Sequence, residues 1–188
     1  MEFSLATAIL ALFISALTAW LTFFNRGVVK MTQPTTVYFG PARDGPLQVY
    51  LRTLLYATSK RGRIIESMFV RIRRGETAQN FNVWVYREDG ALTRGSGLFI
   101  PDNGVVTNHH FLLPLDGTRF EFLAGTYVLE AFASVVGEKS ARLLKSIRLT
   151  VSSDEASALL NPPMGLYFDW SPDAEDYQSH LKMPDREQ

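Results

Sequence analysis

Histidine is the one side chain whose ordinary pKa lets it gain and lose protons near neutral pH, and this chain has three. Two are adjacent, His109 and His110, in the stretch RGSGLFIPDNGVVTNHHFL from residue 94 to 112. A histidine catalyses only with a carboxylate to orient it and a nucleophile within hydrogen-bond reach. Ser96, in Gly95-Ser96-Gly97, is the candidate nucleophile. A metal site is the other use for the pair, with Asp116 and His180 as helpers. Adjacent strand residues face opposite ways, however, so His109 and His110 cannot readily share one ion. Cysteine is absent, which removes disulfides, thiolate metal ligands and thiol nucleophiles.

Gly-Ser-Gly, an apolar strand, Asp-x-Gly, two valines and Thr-Asn-x-His together resemble the region that carries the catalytic histidine of trypsin-like serine proteases. The resemblance implies His110 as general base. That family places its serine on a Gly-x-Ser-Gly loop well downstream, and none follows His110. Its paired barrels also need about 180 to 200 residues, more than follow the N-terminal segments here. No catalytic, cofactor-binding or metal-ligating residue is therefore assigned. The stretch is expected to be a hairpin, with a strand opening at Gly95 to Gly97, a turn at PDNG and a return over Val105 to Asn108.

The elements around it begin with an uncharged run from Phe3 to Phe24. As a helix it would reach roughly 33 Å, enough for a hydrocarbon core of about 30 Å, so residues 3–24 are expected to be a retained transmembrane signal-anchor. Trp20, Phe23 and Phe24 crowd one end and Arg26 and Lys30 follow, which by the positive-inside tendency places the remainder in the cytoplasm. Residues 25–46 read as a linker with one strand at Thr36 to Phe39. From Leu47 the apolar pattern has period two: Met68, Val70 and Ile72 alternate with Phe69, Arg71 and Arg73, and Ile147, Leu149 and Val151 with Ser146, Arg148 and Thr150. Further strands are expected at Val49 to Tyr56, Phe81 to Tyr86, Gly97 to Ile100, Phe120 to Phe122 and Thr126 to Val135. The fold class is mainly β, an antiparallel sandwich over residues 47–152.

At FEFLAGTYVLEAFASVV the chain resembles the E–F corner of immunoglobulin-like sandwiches. That resemblance implies that the Tyr127 hydroxyl returns to a nearby backbone group, with Leu129 inward and Glu130 outward. Trp84 would be the core tryptophan of strand C, although its parity sets it opposite Phe81, Val83 and Val85 and leaves the core face open. The whole chain also resembles small bacterial single-pass membrane proteins with one β domain, a likeness that carries no activity.

Nineteen basic side chains balance nineteen acidic ones, so the field of a nucleic-acid binder is missing. Locally, Lys60, Arg61, Arg63, Arg71, Arg73 and Arg74 form a basic segment, with KRGR as a hairpin tip; anionic lipid or a protein partner are its candidate contacts. Pairing within the chain is preferred over lipid, since Asp169, Asp173, Glu175, Asp176, Asp185 and Glu187 follow in the tail. Residues 153–188 open with a short helix, capped by Ser152 and Glu155 and stopped by Asn161-Pro162-Pro163. Tyr167, Phe168 and Trp170 then either fold back on the sandwich or meet a partner. The expectation is a membrane-anchored, non-enzymatic binding or assembly module without cofactor. The alternatives are a membrane-tethered trypsin-like hydrolase and an extracytoplasmic glycan- or peptide-binding domain.

Overall fold

A computed structural model of the chain describes residues 2–20, 22, 27–41, 46–88, 91–114, 116, 119–161 and 164–183. It is mainly β, two antiparallel sheets packed as a sandwich. After α1 (Glu2–Ala19) come β1 (Val29–Met31), β2 (Thr36–Pro41), β3 (Leu47–Ala57), β4 (Arg63–Arg74), β5 (Thr77–Phe81), β6 (Val83–Glu88) and β7 (Ala91–Arg94). Then follow β8 (Leu98–Ile100), β9 (Val105–Leu112), β10 (Gly125–Val135), β11 (Arg142–Val151), α2 (Ser153–Leu159), β12 (Gly165–Ser171) and β13 (Asp176–Lys182). The large sheet runs β13-β12-β2-β3-β9-β6-β7, with β1 also on β3; the small sheet runs β11-β10-β4-β5, with β8 also on β4.

Period two explains the faces. On β4, Met68, Val70 and Ile72 point into the core, and β10 matches them with Leu129, Ala131 and Ala133. The large sheet answers with Val37, Phe39, Val49, Leu51, Phe111 and Phe168. The Tyr127 hydroxyl donates to the Leu123 carbonyl at 2.6 Å, with the ring buried. Glu130 points outward but is mostly covered, because Arg73 lies on it at 2.6 Å.

Several expectations need correction. The stretch 94–112 is not a hairpin: β8 pairs with β4 in the small sheet and β9 with β3 and β6 in the large one. The PDNG turn therefore crosses between sheets. KRGR crosses likewise, since β3 and β4 belong to different sheets. Another crossing at Asn82 separates β5 from β6, which is why Phe81 and Trp84 are both buried despite their opposite parity. Trp84 sits on the large sheet, opposite Phe111, while the Tyr127 strand β10 lies in the small one. Residues 120–122 form no strand, though Phe122 is buried and stacks on Phe39. The strand expected at Thr36 to Phe39 is present as β2, but the segment around it is part of the sheet: it also holds β1, and both strands are hydrogen-bonded to β3. The segment expected as tail holds β12 and β13, and β12 pairs with β2. The capping box at Ser152 and Glu155 is present, while Pro162 and Pro163, like the tail's Asp185 and Glu187, lie outside the described residues.

The transmembrane expectation over residues 3–24 meets a shorter helix. Its 18 residues reach about 27 Å, under the ~30 Å of a hydrocarbon core. Among the described residues no helix is long and apolar enough to cross a membrane. Phe23, Phe24 and Arg26 lie outside the described residues.

Two outcomes follow for stability. A chain starting at Gly27 should unfold cooperatively by circular dichroism, whereas one starting at Leu47 should not fold, because it lacks the strand between β3 and β12. Tyr127→Phe should lower stability by about 1 to 2 kcal/mol in chemical denaturation, the cost of losing a buried hydroxyl bond.

Candidate functional site

The outer face of the large sheet carries one continuous row of rings. Register sets His180 opposite Tyr167, Tyr167 opposite Tyr38, Tyr38 opposite Tyr50 and Tyr50 opposite His110. Five strands thus contribute one ring each, and His110 faces Val85 on a sixth. Tyr167 and His180 stack with centroids 5.5 Å apart and planes at 14°, and Tyr50 and His110 at 5.2 Å and 28°. Tyr38 lies 4.8 Å from Tyr167 and 5.7 Å from Tyr50, at 55° and 31°. The stacked separations are close to the ~4.8 Å between strands, so the paired rings face one another across the strands and stand up from the sheet. Each ring of these two pairs has one face covered by its partner.

Tyr38 is buried in this row, Tyr50, Tyr167 and His110 are half-buried, and His180 is exposed. Space for the Tyr38 ring comes from Gly40 and Gly165, where an added Cβ would collide with it. Its hydroxyl donates to the Pro41 carbonyl at 2.9 Å. Polar residues flank the row. On one side Gln48 Oε1 meets His110 Nδ1 at 3.1 Å. On the other, Thr36 Oγ1 donates to Asp169 Oδ1 at 3.0 Å, Asp169 Oδ2 lies 3.5 Å from His180 Nδ1, and Arg52 Nη1 donates to Asn108 Oδ1 at 3.4 Å. Burial, then the neighbouring Tyr167 and Asp169, push the Tyr50 hydroxyl up to about 12. Burial also raises Tyr38. Both remain protonated donors at neutral pH, suited to hydrogen bonding rather than nucleophilic attack.

His110 stands in this outer row, opposite Tyr50 and Val85. Its Nδ1 partner is an amide, not a carboxylate, and Arg94, two residues before Ser96, lies two strands away in register, about 10 Å. His109 points the other way, into the core, with Nδ1 accepting from Trp84 Nε1 at 3.2 Å. Its Nε2 has no hydrogen-bond partner among the described residues. No cluster of three or more His, Asp or Glu side chains among the described residues is arranged to hold a metal ion.

The six basic candidates are not brought together. Arg63 to Arg73 spans nearly all of β4, about 33 Å. Arg71 bonds Asn80 at 3.1 Å and lies over the Phe132 ring, Arg73 pairs with Glu130, and Arg74 donates to the Ala124 carbonyl at 3.1 Å. Arg63 pairs with Glu138 at 3.0 Å. Lys60 and Arg61 are exposed in the β3–β4 crossing. The three aromatic candidates also divide. Tyr167 stands in the outer row, Phe168 is core against Phe39, and Trp170 packs on Tyr177 at 5.1 Å near the sandwich margin. Sequence reasoning missed Tyr38, Tyr50 and His180 as companions of Tyr167 and His110. Outward parity was the available signal, but the register that aligns them was not.

Burial, with a smaller contribution from His110, pulls His109 down from 6.5 to about 4. Above pH 6.5 both folded and unfolded chains hold it neutral. Between 6.5 and about 4 the unfolded chain takes a proton that the folded chain refuses, so stability should fall with pH by up to ~1.4 kcal/mol per unit. Denaturation of wild type and His109→Phe across this window should show the steeper loss in wild type.

No protein-family model matches the chain, and no curated protein matches it. Among solved structures, it is similar to the sporulation control protein Spo0M of Bacillus subtilis at 13% identity and a TM-score of 0.35, over 85% of this chain and 76% of that one. A likeness of that degree carries no functional conclusion.

Proposed function

We propose that the chain is a membrane-anchored, non-enzymatic binding module whose protein partner engages the outer face of the large sheet. The observation that carries this reading is the ring row from His180 to His110. Tyrosine and histidine rings flanked by Asp169, Arg52 and Asn108 offer the rigid rings and hydrogen-bonding groups favoured at protein interfaces. Glycan recognition uses open ring faces, and here the faces of Tyr50, Tyr167 and their histidines are stacked on one another; a protein is the better fit. An immunoglobulin-like sandwich is the finer fold reading. It is supported by β2-β3-β9-β6 and β5-β4-β10-β11, which follow the A-B-E-D and C′-C-F-G orders, and by the Tyr127 corner bond.

Anchoring is supported by α1. Every residue from Leu5 to Trp20 is exposed, including Leu12, Phe13 and Ile14. A helix apolar on all sides requires a lipid or protein environment, and the apolar run continues in sequence to Phe24. A cytoplasmic position for the domain follows from Arg26 and Lys30 flanking the run.

The test uses the full chain, extracted from its membranes with a C-terminal tag. A protein that co-purifies with wild type should be retained at least about tenfold less, ~1.4 kcal/mol, by the Tyr167→Ala/His180→Ala double variant. Retention should be unchanged in Arg71→Ala on the opposite sheet. Equal retention by the double variant would count against this face. Labelling by a serine-reactive probe that disappears in Ser96→Ala would instead establish the hydrolase.

A further inference from the structure

The chain leaving α1 is pinned to one end of the sandwich. Val28 N donates to Thr58 Oγ1 at 2.8 Å, and Thr58 N to the Val28 carbonyl at 3.0 Å. Gly27 lies so close to Ser59 that a Cβ there would sit 2.7 Å from the serine Cβ. Between Trp20 and Gly27 the chain can stretch at most about 25 Å, whereas β4, with 12 residues, carries the opposite end about 40 Å farther away. Whatever surface receives α1 therefore meets the end formed by residues 58–62, 101–104 and 136–141.

That end has an apolar spot rimmed by positive charge. Ile64 and Phe99 are direct cross-strand partners, and Val136 N donates to the Ile64 carbonyl at 2.9 Å, so the three side chains adjoin. They are 47%, 55% and 53% exposed. Phe99 lies over Gly62, whose φ of 65° and missing Cβ let the ring settle there. With Arg61, Arg63 and Gly137 they line a shallow depression. Lys60, Arg61 and Lys139 are exposed around it. Glu138 is held by both Arg63 and Arg142, which leaves Asp102 as the exposed acid of the adjoining crossing. The acidic β12–β13 turn, with Asp173 and Glu175, sits at the far edge of the large sheet, three strands from β3.

We infer that this end is a lipid-docking surface, in which Ile64, Phe99 and Val136 enter the interfacial layer of an anionic bilayer and Lys60, Arg61 and Lys139 meet its phosphates. The inference rests on the membrane-anchoring reading of α1. Apolar side chains ringed by basic ones are the composition that binds anionic interfaces, and the short tether keeps this end, rather than the ring row, at the membrane. The partner face of the large sheet then stands roughly along the bilayer normal, open to the side.

The chain lacks cysteine, so single-cysteine labels report without background. An environment-sensitive dye is placed at Val136→Cys and, for comparison, at Glu76→Cys in the distant β4–β5 turn. The full chain is reconstituted into vesicles of phosphatidylcholine alone or mixed with phosphatidylserine. In anionic vesicles the dye at 136 should shift to the blue and be quenched several-fold more by a lipid-borne quencher than the dye at 76. Lys60→Glu/Arg61→Glu should abolish the shift while the chain still floats with the vesicles. If the chain floats but the dye at 136 stays as wet as that at 76, the docking surface is overturned and the anchor stands. If the chain does not float, both are overturned. A shift of equal size in neutral vesicles, or insensitive to charge reversal, overturns the anionic contact. A shift without lipid-borne quenching reports a second copy of this chain and overturns lipid docking.

Discussion

Strand β3 is hydrogen-bonded on both flanks, to β1 and β2 on one side and to β9 on the other, and its register sets every outward row of the large sheet. A slip of one residue would turn Tyr50 inward and Leu51 out to solvent, because strand side chains alternate with period two. Leu51 is fully buried, so the hydrophobic core penalises that slip. The row of rings is therefore held in line by the opposite face of the same strands. Placing Tyr38 between Tyr50 and Tyr167 also requires the glycines at 40 and 165, positions where the large sheet gives up side chains so that one ring can lie flat enough to join the row.

Much of the β architecture was legible from period two. The alternation around Met68 and Ile147 marks strands of the small sheet, and the Gly-x-Tyr at Tyr127 marks a hydrogen bond that the structure contains. The capping box at Ser152 was legible because its two bonds are local. Sheet membership was not. A turn such as PDNG has the same sequence chemistry whether it joins neighbours in one sheet or crosses to the other, and only the partners of β8 and β9 decide between them. β1, β12 and β13 were hidden, and β2, expected as a strand at Thr36 to Phe39, hid its partners, for a related reason: each is short, flanked by proline, glycine or acidic residues, and stabilised by strands distant in sequence. The ring row inherited that difficulty, since three of its five rings, Tyr38, Tyr167 and His180, stand on these strands.

Charge followed a different logic. The basic run between Lys60 and Arg74 is a single patch in sequence, yet β4 extends it along the whole sandwich and four of its arginines find partners in the chain: Glu138, Asn80, Glu130 and the Ala124 carbonyl. Partly exposed pairs of this kind contribute little stability, but they consume donors. The exposed residue Lys60 and its neighbour Arg61 sit where the chain turns between sheets. His109 is the opposite case, a titratable ring used as core. It is held to Trp84 by one hydrogen bond, and Gly95, whose amide returns to the Trp84 carbonyl at 2.9 Å, closes over the same indole.

The pairing of β2 with β12 ties early and late parts of the chain together, and this has a consequence for synthesis. Thr36 and Asp169, opposite each other in register and joined by a hydrogen bond, are 133 residues apart. At roughly 5 to 20 residues per second on the ribosome, β2 waits about 7 to 27 s for its second neighbour. Until then it presents an open, apolar strand edge, the kind of surface that recruits other chains. The sandwich is complete only once β12 has been made, so newly made chains are most vulnerable to misassembly in that interval, long after α1 has left the ribosome.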